Sequence, residues 1–300
     1  MIEIHKSKHF NKTTRSIVMH FLLTLFALFT ITPIFWMLIS SLKTPAEVFE
    51  LPPKMYFKPT FHNYEVLLGL KVGEEFEGVK ESDYRRVKSK FPIYFLNTIL
   101  ISISSSLLAV GIGSLAAYGL ARFSFKGRSS ILTGILLTKV IPPIAILIPM
   151  YTIIRRLHLL DTRLSLIITY LTFNLPFVVW TMRSFFLELP LELEDSALID
   201  GCSRLRALFR IILPLAAPGL VASMIFCVVL SWNEFLYAIV LTGDRARTLA
   251  PTIAGFLTDK AILWGRLFAG GSIVVLPVVL FAFIIHKKLA SGLTFGAVKG

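Results

Sequence analysis

The sequence predicts an all-α integral membrane protein of six transmembrane helices. Of its 300 residues, 55% are hydrophobic and only 16% charged, and the mean hydropathy is +0.74, whereas water-soluble chains run nearer half apolar and a quarter charged. Uncharged stretches of roughly 20 residues recur along the chain, each long enough to cross a hydrocarbon core about 30 Å thick as a helix. These observations exclude a secreted enzyme, a disordered chain and a β-barrel porin, whose strands would alternate in shorter segments. The net charge of +13 does not indicate nucleic acid: the Lys and Arg residues are scattered between apolar spans, where topology and anionic head groups account for them. Cys202 and Cys227 cannot form a disulfide framework.

In chain order, the predicted spans are 16–41, 94–121, 131–154, 164–187, 216–241 and 265–286. Lys6, Lys8, Lys12 and Arg15 precede the first, which stays apolar for about 25 residues without a small-residue cleavage pattern and reads as a retained anchor. An even number of spans puts both termini on one side. With termini inside, the inner segments carry fourteen basic residues, among them Arg122, Lys126, Arg128, Arg183, Arg204, Arg206 and Arg210, against seven in the short outer connections. This bias predicts cytoplasmic termini. The long outer connection, 42–93, adds nine basic residues but also eight acids, and long segments translocate largely regardless of charge. It opens with turn signals at Thr44-Pro45 and Pro52-Pro53, continues into a mixed-charge run from Glu74 to Lys90, and reads as a partly helical excursion or a solvated spacer. The expected organisation is a cytoplasmic N-terminus, 1–15, and a six-span membrane domain, 16–300, with a structured inner loop at 188–215.

Inside the spans, Pro33, Pro142, Pro143, Pro149, Pro176 and Pro277 each remove a backbone hydrogen bond that neighbours must satisfy. Broken helices imply a path or a moving part. Ala109, Gly111, Gly113, Ala116, Ala117 and Gly119 in the second span are small residues that let helix backbones approach closely.

Reactive arrangements are missing from the sequence. It contains no G-x-x-x-x-G-K-[ST], H-E-x-x-H, C-x-x-C or G-x-S-x-G pattern, and its six histidines lie at termini, loops or span ends. No cofactor or metal is expected in this chain, and any nucleotide would be bound by another. Polar residues within the spans, Asn97, Lys139, Asn174, Asn233 and Glu234, are candidates for a substrate path, since an ionisable group in a membrane normally faces a cavity or a partner. Lys139 reads equally as a side chain snorkelling inward, and Glu234 as a cap on an outer helix end. A difference of about 15 Å in depth argues against a direct ion pair between them. Trp180 and Phe173 could stack on a ring of a solute or simply pack.

The loop between the fourth and fifth spans carries the most information. Pro190 suits a first helical turn, and Glu192, Glu194 and Asp195 complement the positive end of a helix dipole. That helix runs to about Ile199, and Gly201 stops it in a left-handed conformation. Ser203 caps a second helix whose Leu205, Leu208, Phe209 and Ile212 make one apolar stripe, and Pro214 ends it. Such a glycine-hinged pair can insert into a groove on another protein or lie flat on lipid, and the pattern alone leaves both open.

Asp195-Ser196-Ala197, three residues, Gly201, nine residues and Ile211-x-Leu213-Pro214 resemble the E-A-A-x3-G-x9-I-x-L-P signature of permease subunits of binding-protein-dependent ABC importers. Ile141 to Pro149, Leu159 to Thr162, Trp232 to Phe235 and Gly292 to Gly300 are similar to the carbohydrate branch of that family, the MalG-like group. Two positions depart: Asp195 and Ser196 stand where the signature has Glu and Ala, each keeping charge or size. The run from about Gly69 to Lys90 looks longer than the family's usual outer connection.

The resemblance implies a type I ABC importer permease bundle in the cytoplasmic (inner) membrane, forming half of a translocation path for a sugar or oligosaccharide. It implies a second, MalF-like permease subunit, two ATPase subunits that bind ATP and Mg, and an extracytoplasmic solute-binding protein. It also implies a cytoplasmic coupling helix, with Glu192, Glu194, Asp195, Ser196, Ala197, Asp200, Gly201, Arg204, Ile211, Leu213 and Pro214 serving ATPase coupling. The tail, Ser291 to Gly300, reads equally as a contact with the ATPase pair and as a frayed terminus. The competing class is an ion-driven secondary carrier of small solutes, which would need a midplane ion site and commonly shows repeated halves. A membrane-embedded enzyme is disfavoured by the missing nucleophile, metal and acid pair.

Overall fold

The structure, a computed structural model, describes residues 3–48, 50, 52, 54–70, 89–257 and 263–294. The Glu74–Lys90 run lies almost wholly outside the described residues, as does the C-terminal end of the tail. The chain divides into two compact units, residues 1–89 with 256–273 and residues 90–255 with 274–300.

In the first unit, α1 (Glu3–Ser41) begins well before the predicted span, within the segment read as an N-terminal lead. Its portion Thr14–Ser41 is long and apolar enough to cross a membrane. Two short helices follow, α2 (Pro45–Val48) and α3 (His62–Leu67), so the described part of the outer connection is partly helical. Asn63 turns the chain leaving α1 by donating its amide to the carbonyls of Ser41 and Lys43, at 2.9 and 2.8 Å. The Lys43 ammonium is buried between the rings of Trp36 and Phe57, 5.0 and 5.2 Å from their centroids, and donates to the Lys54 carbonyl at 2.7 Å. Aromatic faces thus replace part of its hydration.

The second unit contains α4 (Phe91–Arg122), α5 (Arg128–Val140), α6 (Pro143–Arg156), α7 (Arg163–Glu188), α8 (Glu192–Ile199) and α9 (Arg204–Ala207). A π-helical turn, Leu208–Ile212, then joins α9 to α10 (Leu213–Leu215), and α11 (Ala217–Trp232), α12 (Leu236–Leu241) and α13 (Leu249–Ala254) follow. The last helix, α14 (Trp264–Thr294), starts in the first unit and ends in the second. At the centre α4 lies directly on α7: a Cβ at Gly113 would come 2.8 Å from the Val178 side chain, the close approach that small residues permit. Around this seam Tyr118, Val178, Met182, Phe186, Leu208 and Cys227 form one buried cluster.

Among the described residues, four helices are continuous and apolar enough to cross a membrane, and two further pairs qualify only if each bent pair is one span. The second and fourth predicted spans match α4 and α7 within a few residues, and the sixth begins with α14, which runs eight residues past the predicted end. The third is not one straight helix: α5 and α6 meet at 99°. Ile141 and Pro142 are extended there, with ψ of 124° and 134°, because a residue before proline is pushed out of the helical region, and Pro143 then starts the next helix where no N–H is needed. The fifth, 216–241, is corrected to a helix ending at Trp232 and a second one from Leu236. Glu234 starts that second helix, accepting the Tyr237 and Ala238 amides at 2.9 and 3.1 Å and so supplying partners for donors the helix cannot satisfy itself.

Candidate functional site

The loop between α7 and α11 has the two helices its sequence predicts. Gly201 sits at φ +80°, open to solvent on its Cα side, and reverses the chain between α8 and α9. Ser203 accepts the Arg206 amide at 3.3 Å as the cap of α9. Three details differ from expectation. Pro190 precedes α8 by two residues instead of forming its first turn. Pro214 does not end the second helix but lies within α10, and the 75° bend falls between α10 and α11 at Ala216. The apolar stripe is split: Leu208 and Ile212 are buried, whereas Leu205 and Phe209 are 66% and 59% exposed. A π-turn bonds i to i+5, so residues spaced for an α-helix do not remain on one face across it.

The loop therefore has two faces. Inward, Glu194, Ala197, Ala207, Leu208 and Ile212 are buried in the bundle. Outward, Glu192, Asp195, Ser196, Asp200 and Arg204 are exposed, with Ile199 85% exposed beside Gly201. Ile211 and Leu213 are half-buried and Pro214 is exposed. Of the predicted coupling residues, Glu194 stands apart. Its carboxylate, 5% exposed, accepts from Tyr118 Oη at 2.9 Å and from Arg122 Nε at 2.5 Å. The same guanidinium donates to the Leu189 carbonyl at the end of α7, at 3.0 Å. Sequence reasoning missed Tyr118 as a partner and read Arg122 only as topological charge. The available signal was their i, i+4 spacing at the end of an apolar helix, which places both on one face.

The predicted path residues do not converge. Asn97 is fully buried and structural: it donates to the carbonyls of Arg245 and Arg247 at 2.9 and 3.0 Å and accepts from Arg163 Nε at 2.8 Å. Asn174, also buried, donates to Ser231 Oγ at 2.9 Å. Asn233 is exposed and bonds its own helix at Val229. Lys139 neither snorkels to a helix end nor meets Glu234: its ammonium donates to the Phe173 carbonyl at 2.6 Å, ten residues or about 15 Å along α7 from Arg163. That carbonyl lies in the turn loosened by Pro176, which lacks an N–H for the turn before it. Phe173 stacks on Tyr237 at 6.4 Å, while Trp180 is exposed.

At the opposite end of α7 from the loop, a second polar cluster fixes the segment after α12. Asp161, at φ 54°, accepts the amides of Gly243, Arg245 and Ala246 at 2.8 to 3.1 Å. Thr98 Oγ1 accepts the Leu249 amide at 2.9 Å. Lys90 pairs with Asp244 at 2.8 Å; this hydrogen bond holds the Asp244 carboxyl below its ordinary range and pushes the Lys90 ammonium up. Thr162 caps α7 by accepting from Ser165 at 3.2 Å.

Comparison with known proteins agrees with this architecture. Residues 109–294 match the family described as binding-protein-dependent transport system inner membrane component. The chain is 34% identical over 293 residues to a probable ABC transporter permease, y4oR, of Sinorhizobium fredii, covering 98% of this chain and 99% of that one. It is 33% identical to the trehalose permease SugB of Mycobacterium tuberculosis, over 92% of this chain and 95% of that one. It is 34% identical to the trehalose/maltose permease MalG of Thermococcus litoralis, over 92% and 94%. The fold is shared with a chain in the crystal structure of a bacterial ABC transporter involved in the import of the acidic polysaccharide alginate, at a TM-score of 0.73 and 22% identity, covering 92% of this chain and 97% of that one. A helical bundle with a glycine-hinged loop between α7 and α11, matched across nearly its full length by these relatives, identifies the chain as a member of the binding-protein-dependent inner membrane components, the permease subunits of ABC importers.

Proposed function

We propose that this chain forms half of the transmembrane path for a sugar or oligosaccharide, paired with a MalF-like second permease subunit. An extracytoplasmic binding protein delivers the solute, and two ATPase subunits, which hold the ATP and Mg, drive transport from the cytoplasmic side, where both termini lie. The named relatives that carry trehalose or maltose support the carbohydrate class. Among the polar residues of the spans, exposed Asn233 and Lys139 are offered to the solute, while Asn97 and Asn174 hold the bundle together.

The observation that carries the coupling role is the two-faced loop: Leu208 and Ile212 root it in the bundle while Ile199, Leu205 and Phe209 project. Projecting apolar side chains on an otherwise polar surface suit a groove on a partner. Closure of the ATPase pair on nucleotide draws the loops together and rotates the spans, so nucleotide binding becomes movement of the path.

Reconstitution of the two permease chains, the ATPase subunits and the binding protein in vesicles tests this. Uptake of labelled disaccharide should require ATP and every partner, and Leu205→Ser with Phe209→Ser should lower ATPase co-purification about tenfold, roughly 1.4 kcal/mol. Uptake by the permease chains alone on a proton or sodium gradient would establish a secondary carrier instead.

A further inference from the structure

Glu192, Glu194 and Asp195 share the first turn of α8, yet only Glu194 turns inward. Both of its oxygens are occupied, one by Tyr118 and one by Arg122. The Arg122 side chain is 4% exposed and also holds the carbonyl of Leu189, the residue that follows α7. One guanidinium thus ties together the end of α4, the end of α7 and the first turn of α8.

We propose that Glu194, Arg122 and Tyr118 form an internal strut that carries displacement of α8 into α4 and α7, so that they are positioning residues for coupling and not contacts with the ATPase. This rests on the functional reading above. The covalent link cannot do the same work: Leu189, at ψ 132°, is extended, and no helical hydrogen bonds run through Pro190 from α7 into α8. A push on α8 would flex that joint unless something braced it. The strut does so about 14 Å along α4 from the close approach of Gly113 to Val178, so α4 and α7 are held together at two levels and move as one block with α8. Opening a buried pair leaves an uncompensated charge, which keeps the strut closed during a stroke.

The full complex, with both permease chains, ATPase subunits and binding protein, is reconstituted in vesicles, and three quantities are read: co-purified ATPase, ATP hydrolysed and disaccharide taken up. In Glu194→Gln the ATPase should still co-purify while uptake per ATP falls about tenfold. Tyr118→Phe, which removes one hydrogen bond and keeps the ion pair, should lower the same ratio about threefold. The swapped pair Arg122→Glu with Glu194→Arg should recover part of the ratio lost in Glu194→Gln. An unchanged ratio in Glu194→Gln overturns the strut, as does loss of ATPase co-purification in that variant while uptake per bound ATPase stays normal, because Glu194 would then be a contact. Should Glu194→Gln fail to accumulate in the membrane, Tyr118→Phe decides, and a wild-type ratio there overturns the proposal. Absence of ATP-driven uptake in the unmodified complex overturns the functional reading, and the strut with it.

Discussion

Asp161 accepts the backbone N–H of Arg245 with both carboxylate oxygens, each at 3.1 Å. Gly243 and Ala246 donate to the same carboxylate, and the Asp161 amide donates in turn to the Leu241 carbonyl at 3.0 Å. A charge surrounded by successive backbone amides is the arrangement by which proteins bind free anions; here the chain supplies the anion itself. The turn before α7 and the segment after α12 are thereby fixed to each other.

Asp161→Asn removes that charge, keeps the side chain's size and still suits a left-handed backbone. Because hydrogen bonds to charged groups are worth about 1.5–3 kcal/mol, amides 243, 245 and 246 should exchange with deuterium about tenfold faster or more. Amides in the middle of α4 should be unaffected.

The Lys90–Asp244 pair sets a pH window for the same segment. Asp244 has its folded pKa depressed from 3.8, so its contribution is complete above that value and is lost as pH falls through the lower folded pKa. Lys90 has its folded pKa raised from 10.5, so its contribution is complete below that value and is lost as pH rises through the higher one. Once intrinsic exchange rates are corrected for, protection of amides 243–246 should be flat between about pH 5 and 9, and should fall on both sides of that window, in acid as Asp244 protonates and in alkali as Lys90 deprotonates. Asp244→Asn should abolish the acid step.

Gly113 is required by the spacing of α4 and α7. A methyl group there would meet Val178 at 2.8 Å, and such overpacking costs about 1–3 kcal/mol. Gly113→Ala should lower the thermal midpoint of the purified chain, and Val178→Ala added to it should restore part of the loss. A non-additive pair is the signature of two residues in contact.

Gly201 separates backbone strain from steric strain. Nothing lies within 4 Å of a Cβ built there, so Gly201→Ala should cost only the left-handed conformation, about 1–2 kcal/mol. Gly201→Pro cannot adopt φ +80° at all. Both should reach the membrane, and uptake per ATP should fall modestly for Ala and severely for Pro.

Several elements were legible in the sequence because their causes are local. Apolar length gave the membrane helices, the Gly201 reversal follows from its missing Cβ, Ser203 carries its capping oxygen, and Pro142-Pro143 announced the break that became a 99° bend. The end of α11 at Trp232 was not legible, since the apolar run continues through it to Leu241 and Glu234 acts as a cap only once the chain has turned.

Composition and spacing by themselves determined that this chain is a helical membrane protein with a glycine-hinged loop before α11, since burial of apolar length and backbone preference are written residue by residue. Tertiary structure alone decided which of the neighbouring acids Glu194 and Asp195 turns inward and which half of the Leu205–Ile212 stripe is buried. Both acids suit the start of a helix equally. What separates them is Tyr118 and Arg122, 76 and 72 residues away in sequence, and a contact across that distance exists only when packing brings the end of α4 against α8.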